Sequence, residues 1–320
     1  MQPLAGLLVV DLTRYLPGAF ASKELRLLGA RIVHVEPPEG DPLRRSAPTW
    51  DAALRTGTES VVCDLKHDPA LAVALCARAD VVLEGFRPGV ADELGIGPAD
   101  VPGTVVYCSI TGFGADGRHV DRAGHDLNYL GWAGALEDTA PDWPPVQIAD
   151  LAAGALGTVT RVLAALLERE RTGAGAHVTI SMTRRSHELV AHRVGGDPVP
   201  RMLTGGLACY RTYATADDRH LTLAALERKF FERLVTVIDR PELAERQFDD
   251  DQEALAAELA GVFRRRELAD WLELFDGEDV CVGPVSTRAE AASEFGDTVA
   301  AEPVPLGAHT ADWRRELGLA

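Results

Sequence analysis

The alternation of strand and helix patterns over the first 180 residues most strongly limits what this chain can fold into. Short apolar runs typical of buried strands alternate with helical stretches, and Gly and Pro separate them. The predicted strands are Leu7–Leu12, Arg31–Glu36, Ser60–Leu65, Asp80–Glu84, Thr104–Ile110 and His177–Met182. Because parallel strands need a crossover, usually a helix, this order predicts an α/β fold with a parallel sheet and right-handed connections.

The pattern changes after about Arg193. A Gly- and Pro-rich stretch is followed by a predicted hairpin, Tyr210–Ala214 with His220–Ala224, and then by amphipathic helices and a short strand. This second part is typical of a smaller α+β domain. We therefore divide the chain into a large parallel-sheet domain, a linker, a small α+β domain and a C-terminal tail that returns to the large domain (1–193, 194–207, 208–295 and 296–320).

Charge and apolar runs exclude several classes of partner. The formal net charge is −17 and the pI is about 4.9, so we expect no nucleic-acid partner, which would need a basic surface. A small anionic cofactor needs only a few local Arg or Lys residues and is not excluded. No uninterrupted apolar run approaches 18 residues, so we expect no membrane span. Five widely spaced cysteines are typical of reduced core residues in a cytoplasmic protein.

One stretch, from Gly124 to Asp150, carries candidate acid–base residues. His125 opens a predicted helix, and Asp126 is suited to accept hydrogen bonds from that helix's first N–H groups. The positive end of a helix dipole disfavours imidazolium and would keep His125 available as a neutral base. A neutral histidine and an ionised Asp150 on two helix N-termini could remove a proton from one face of a carbon and return it to the other. Each residue also has a purely structural interpretation, as a capping or buried histidine and as a helix N-cap.

Two further patterns, a GxGxxG motif and a group of His and Asp residues, do not support the sites that such patterns usually indicate. Gly112, Gly114 and Gly117 match GxGxxG, but the predicted loop after them lacks the helix that a dinucleotide fingerprint needs. We interpret this segment as a loop whose backbone approaches a ligand. The spacing of His119, Asp121, His125 and Asp126 matches no common metal site, so we predict no metal.

Several blocks along the chain resemble the family III CoA-transferase superfamily, which includes the α-methylacyl-CoA racemases. The blocks are PLAGLLVVDLTRYLPGAFASKELRLLGARIVHVEPPEGDPLR, SVVCDLK, VVLEGFRPGVADELGIG, VVYCSITGFG and PLGAHTADWRRELG. RAGHDLNYLGWAGAL resembles the racemase branch in particular. One departure is His34, which stands where many members have lysine.

The resemblance implies a Rossmann-like large domain, a small domain and two chains interlocked as a homodimer. It implies that His125 and Asp150 are the two bases of a racemase, and that Glu227 pairs with the histidine, if it is not simply a solvated carboxylate at a helix start. Transferases of the family use an aspartate at the place of Asp150 as a nucleophile. Asp150 fits both reactions, whereas His125 favours the racemase.

The matched blocks also suggest which residues bind the substrate's CoA moiety. These are Arg44, Lys66 and Arg87, each after a predicted strand, with Gly112 and Gly114 beside the pantetheine arm. Backbone N–H groups around Asp126 would stabilise an enolate. We therefore expect a racemase or epimerase of a 2-methyl-branched acyl-CoA that requires no cofactor beyond the CoA of its substrate. The alternatives are a family III CoA-transferase and a non-catalytic acyl-CoA-binding protein.

Overall fold

The computed structural model describes residues 1–193, 195–196, 199–296 and 301–319. Its contacts divide the chain into two units, of which the first combines Met1–Val190 with Thr298–Ala320 and the second is Ala191–Asp297. Residues 194 and 197–198 of the predicted linker, and residues 297–300 at the predicted start of the tail, lie outside the described residues.

Six parallel strands form the sheet of the first unit. They are β1 (Leu8–Asp11), β2 (Arg31–Glu36), β3 (Glu59–Val62), β4 (Val81–Glu84), β5 (Val106–Thr111) and β6 (Ala176–Ser181). Their order across the sheet is β3-β2-β1-β4-β5-β6. Every residue of β1, β4 and β5 is buried, because helices cover both faces of the central strands. The predicted α/β fold with a parallel sheet is confirmed.

Helices lie between these strands and after the last of them. They are α1 (Leu16–Leu27), α2 (Pro42–Ser46), α3 (Pro48–Arg55), α4 (Ala70–Arg78), α5 (Val90–Glu93), α6 (Asp126–Trp132), α7 (Gly157–Thr172) and α8 (Met182–Leu189). The apolar pattern does not anticipate α2 and α3, because both are short. Each has a proline in its first turn, where the missing N–H would have no partner in any case.

The helices on the two faces of the sheet show that one connection between strands is not right-handed. α7 packs with Val106 and Cys108 on one face, whereas α5 packs with Val82 and Tyr107 on the other. The connections β4–β5 and β5–β6 run in the same direction across the sheet but over opposite faces, so they have opposite hands. The prediction of right-handed connections throughout is therefore wrong for one of the two. Three of the six residues of β6 remain exposed.

The helix that precedes β6 begins with π-helical turns (Ala149–Leu156) and continues as α7. Such turns often occur at functional sites. By length and mean hydropathy, Ala149–Thr172 could also span a membrane, although no uninterrupted apolar run suggests it. Half of its most apolar window is buried within the protein, as in the core helix of a globular protein.

The second unit is a small α+β structure. Its elements are α9 (Val199–Leu203), β7 (Tyr210–Ala214), β8 (His220–Ala224), α10 (Arg228–Val237), α11 (Gln252–Phe263), α12 (Leu268–Leu274), β9 (Val282–Pro284) and α13 (Arg288–Phe295). The hairpin has the predicted bounds and pairs with β9 in an antiparallel sheet. Part of the predicted linker forms α9, and Leu207 joins the core of this unit.

The C-terminal segment packs on the sheet of the first unit. Trp313, in α14 (Thr310–Glu316), is 1% exposed, and its indole N–H donates to Glu59 at 2.7 Å. The Arg31 guanidinium covers the same ring, 4.4 Å from its centroid. These contacts hold the C-terminal segment against the edge strand β3.

Candidate active site

Three adjoining cavities follow the carboxyl edge of the parallel sheet, where open α/β sheets bind their ligands. The first cavity, of about 450 Å³, lies where the strand order reverses between β1 and β4. Residues that follow β1, β2, β3 and β4 line it, among them Arg14, Glu39, Lys66 and Phe86. Open α/β sheets commonly bind their ligands in a crevice at this position.

The second cavity, of about 190 Å³, contains both candidate bases, His125 and Asp150. It shares Arg14 with the first cavity. The third cavity, of about 210 Å³, shares Gly124 and Tyr129 with the second. The cavity with the candidate bases therefore lies between two binding spaces on one sheet edge.

Helix starts position the two candidate bases. His125 is the exposed N-cap of α6, and its backbone N–H donates to Asn128 Oδ1 at 3.1 Å. Asp150 lies in the first turn of the π-helical segment. The structure thus brings together two residues that are 25 positions apart in the sequence.

Asp126 does not cap its own helix. It is the first residue of α6, is 3% exposed, and accepts the backbone N–H of Asp150 at 2.8 Å. Its carboxylate also interacts with the backbone of Ala149. The first-turn N–H groups that Asp126 satisfies therefore belong to the neighbouring helix, and this correction makes Asp126 the link between the two helix starts.

Burial raises the pKa of both carboxyl groups. Burial raises the pKa of Asp150 to about 7, and the neighbouring Asp126 contributes to that rise. Burial also raises the pKa of Asp126, against the effect of the backbone bonds from Asp150 and Ala149. Asp150 is thus divided between its two forms at neutral pH rather than fully ionised as expected. A carboxyl group in this state can donate or accept a proton.

Two tyrosines complete the cavity walls. Tyr15, the residue before α1, has a positive φ of 64°. Residues other than glycine rarely adopt this backbone conformation, and such residues cluster at functional sites. Its ring meets that of His125 edge-on, with centroids 6.0 Å apart. The Tyr129 hydroxyl donates to the carbonyl of Gly124. Burial, aided by the charges of Asp150 and Asp126, raises the pKa of Tyr129 to about 12, so this donor stays protonated.

A buried ionic cluster supports the turn that carries Tyr15. Its members are Asp11, His34, Glu36, Asp41, Arg44, Asp51, Arg55 and Ser60. Arg55 donates to Asp11 at 2.6 Å and to Asp41 at 3.3 Å, and Asp41 accepts the backbone N–H of Tyr15 at 3.3 Å. His34 lies 3.5 Å from both aspartates. The cluster thus links the sheet to the wall of the second cavity.

Pairing decides the protonation of this cluster. Burial alone would raise the pKa of Asp11, but Arg55 and His34 outweigh it and hold that pKa well below its usual range. Burial likewise opposes ionisation of Asp41, yet His34 and Arg55 lower its pKa. Asp51 reaches Arg55 Nε only at 3.8 Å, and burial raises its pKa.

The structure gives the predicted CoA-binding residues different surroundings. Arg44 donates to Glu36 at 3.0 and 2.7 Å and to the Val304 carbonyl at 2.6 Å, so protein groups already occupy its guanidinium. Lys66 lines the first cavity and Arg87 the third. Neither has an ion-pair partner among the described residues, which leaves both cations available for phosphate groups.

The glycines of the GFG turn serve the protein's own packing. A Cβ at Gly112 would lie 2.5 Å from the Tyr129 ring, so Gly112 makes room for that side chain. Gly114 has φ +103°, which a side chain would strain, and its N–H donates to Thr111 Oγ1 at 2.8 Å. The segment continues as a loop, without the helix of a dinucleotide site.

Glu227 belongs to the second unit. It is the exposed residue immediately before α10, and its side chain makes no capping hydrogen bond. Its proposed pairing with His125 stays a prediction.

Sequence reasoning missed Arg14 and Tyr15. Their position directly after β1, at the carboxyl edge of the sheet, is the signal that could have found them. The positive φ of Tyr15 had no such signal, because non-glycine residues seldom adopt it.

The fold and site define a class: an α/β protein with a Rossmann-like strand order and a candidate acid–base pair beside the crevice of its sheet. The chain belongs to CoA-transferase family III, whose sequence model matches residues 4–302. The predicted family resemblance is confirmed.

Relatives with different reactions match most of the chain. Human "alpha-methylacyl-CoA racemase" is 34% identical over 308 residues, which cover 90% of this chain and 78% of the human protein. "Acetyl-CoA:oxalate CoA-transferase" of Acetobacter aceti is 32% identical over 326 residues, covering 91% and 82%. A crystal structure of a Mycobacterium tuberculosis protein matches with TM-score 0.83 and 28% identity, covering 98% and 99%.

Proposed function

We propose that the protein is an acyl-CoA racemase that inverts the α-carbon of a 2-methyl-branched acyl-CoA. The observation that carries this proposal is the placement of His125 and Asp150 in one cavity, with the pKa of Asp150 raised to about 7. Racemisation needs a base on one face of the carbon and an acid on the other, with exchanged roles in the reverse direction. A carboxyl group that is half protonated at neutral pH suits both roles.

In this mechanism His125 removes the α-proton of one enantiomer and protonated Asp150 returns a proton to the opposite face. For the other enantiomer the carboxylate of Asp150 removes the proton and the imidazolium of His125 returns one. The C–H bonding pair moves into the enolate and back, so atoms and charge balance. No cofactor beyond the CoA of the substrate takes part.

The enolate oxygen needs hydrogen-bond donors. The N–H groups of Ala149 and Asp150 interact with Asp126, so we assign the oxygen to the first N–H groups of α6, at Asp126 and Leu127. One such donor typically contributes about 3 to 4 kcal/mol in the transition state. The N-terminal end of the helix dipole also favours the developing negative charge.

We assign the CoA moiety to the first and third cavities. Its phosphates would bind near Lys66 and Arg14 in the crevice between β1 and β4, while the pantetheine arm passes Arg87 and the GFG turn. We further propose a cytoplasmic homodimer, with Glu227 pairing with His125 during proton transfer.

A family III CoA-transferase is the second candidate. It is favoured by the 32% identity to the Acetobacter aceti transferase and by Asp150, which could act as a nucleophile. A carboxyl group with pKa near 7 is incompletely ionised at neutral pH, which weakens it in that role.

Proton exchange separates these candidates. The purified protein is incubated in D2O with one enantiomer of a 2-methylacyl-CoA and no acceptor acid. The racemase predicts deuterium at the α-carbon and loss of optical purity, both abolished in His125→Ala and Asp150→Asn. Transfer of CoA to a labelled free acid without α-deuterium would establish the transferase instead. CoA binding with neither reaction, unaffected by His125→Ala, would indicate a binding protein.

A further inference from the structure

Three arginines around one cleft differ from most arginines of this acidic chain. The chain has 32 Lys and Arg against 49 Asp and Glu, and carboxylates hold many of its arginines. Arg161 and Arg185, by contrast, have no hydrogen-bond or ion-pair partner among the described residues. Arg184 reaches Glu188 only at 4.0 Å, with 84% of its side chain exposed. Two unpaired arginines and a third with a distant carboxylate partner, all around one cleft, indicate an anionic ligand.

The cleft that these arginines line has a volume of about 540 Å³. It lies beyond the ends of β5 and β6, and none of its arginines lines the three cavities of the candidate active site. Thr179 and Ser181 of β6 contribute hydroxyl groups to its wall. Thr179 is exposed, so the cleft is open to solvent at this point of β6.

The position of Arg185 is built into the fold. A Cβ at Gly157 would lie 2.6 Å from Arg185 Nε, so a glycine at the start of α7 makes room for the guanidinium. Arg185 Nε is buried without a hydrogen-bond partner. The fold therefore holds this guanidinium in place without supplying an acceptor for its Nε, which costs free energy.

We propose that this cleft, the arginine cleft, binds a small metabolite with phosphate or carboxylate oxyanions. Planar guanidinium groups bind both oxyanions through paired hydrogen bonds. Asp116 and Glu188 also line the cleft, so three arginines face two carboxylates and the site favours a compact ligand near the arginines. The inference is independent of the reaction proposed for His125 and Asp150.

Calorimetric titration of the full chain with pyrophosphate at low ionic strength tests the proposal. The double variant Arg161→Gln with Arg185→Gln removes both unpartnered cations. Arg265→Gln is the matched control, because Arg265 is an exposed arginine of the second unit. We expect one saturable site in the wild type and in the control, and at least about tenfold weaker binding in the double variant, since charge-assisted hydrogen bonds are lost.

Three results would overturn the proposal. One is the absence of saturable binding to the wild type, and another is equal weakening in the control. The third is competition by CoA together with a loss of binding in Lys66→Gln, which would place pyrophosphate in the crevice between β1 and β4. If the double variant misfolds by circular dichroism, Arg161→Gln alone gives the same comparison. If pyrophosphate does not bind but the variant changes the oligomeric state, a second copy of the chain occupies the cleft.

Discussion

Aspartate carboxyl groups have opposite pKa shifts in the buried ionic cluster and in the Asp126–Asp150 pair. Asp11 and Asp41 lie within reach of Arg55 and His34, which lower their pKa values against the effect of burial. Neither Asp126 nor Asp150 forms an ion pair among the described residues. Asp126 accepts the backbone N–H of Asp150, and the pKa of Asp150 rises to about 7.

The difference shows that the presence of a cation, rather than burial alone, separates a structural carboxylate from an acid–base group. Asp51, in the same cluster, supports this conclusion. It lies 3.8 Å from Arg55 Nε, farther than Asp11 and Asp41 lie from this arginine, and its pKa is raised. Asp11 and Asp41, which have a cation partner, stay ionised, and Asp41 binds the backbone N–H of Tyr15. Asp150, which has none among the described residues, is able to exchange protons near neutral pH.

The largest expected effect is the loss of activity in Asp150→Asn. The amide keeps the size of the side chain but cannot transfer the proton, and general acid–base catalysis typically contributes about 10²- to 10⁴-fold. We expect a loss of racemisation in that range, measured as α-deuterium uptake from D2O. His125→Gln should lose a similar factor, and activity near that of the wild type in either variant would contradict the two-base mechanism.

The next effect is on stability and concerns Arg55→Met. Removing this cation leaves Asp11, Asp41 and Asp51 buried without it, which typically costs about 3 to 5 kcal/mol. Urea unfolding followed by circular dichroism measures the change. Arg45→Met is the control, because Arg45 is exposed and donates only to backbone carbonyls. Equal effects in the two variants would show that the cluster is not specifically stabilising.

Asp150→Asn should increase the free energy of unfolding, whereas Arg55→Met should lower it. Between the ordinary pKa of 3.8 and about 7, the folded protein binds a proton that the unfolded chain releases, so stability falls as the pH rises through this window. The neutral amide removes that penalty and should stabilise the protein at pH 8 by roughly 2 to 4 kcal/mol. The two proteins should be equally stable near pH 4. A variant that is less stable at pH 8 would contradict the raised pKa.

Arg44→Gln distinguishes a structural arginine from a CoA-binding one. Arg44 donates hydrogen bonds to Glu36 and to the Val304 carbonyl. We therefore expect Arg44→Gln to destabilise the fold by about 1.5 to 3 kcal/mol, the range for hydrogen bonds to charged groups. The KM for acyl-CoA should change less than in Lys66→Gln. A larger rise in KM for Arg44→Gln would restore the interpretation made from the sequence.

The smallest effect is a shift of the pH profile in Asp126→Asn. The variant removes the neighbouring charge that helps to raise the pKa of Asp150, while the amide oxygen can still accept the Asp150 N–H. We expect the pH dependence assigned to Asp150 to move below about 7, with burial retaining most of the rise. An unchanged profile would show that Asp126 has no electrostatic influence on Asp150.

Periodicity and turn residues made the strands, the hairpin and the two-part organisation predictable. The motif GHDLNY and the later aspartate identified the candidate bases, because helix starts and acid–base residues leave signals in a single sequence. The acceptor role of Asp126 towards Asp150 was not predictable, since it depends on how two helix starts meet. The opposite hands of the β4–β5 and β5–β6 connections were equally hidden, because either face could receive α7.

The titration of Asp150 tests the central claim most directly. The chain is labelled with 13C at the aspartate carboxyl carbons, and the Asp150 signal is assigned by its absence in Asp150→Asn. We predict a carboxyl chemical shift that titrates with a midpoint of about 7. A midpoint near the ordinary value of 3.8 would contradict the contrast between paired and unpaired carboxyl groups.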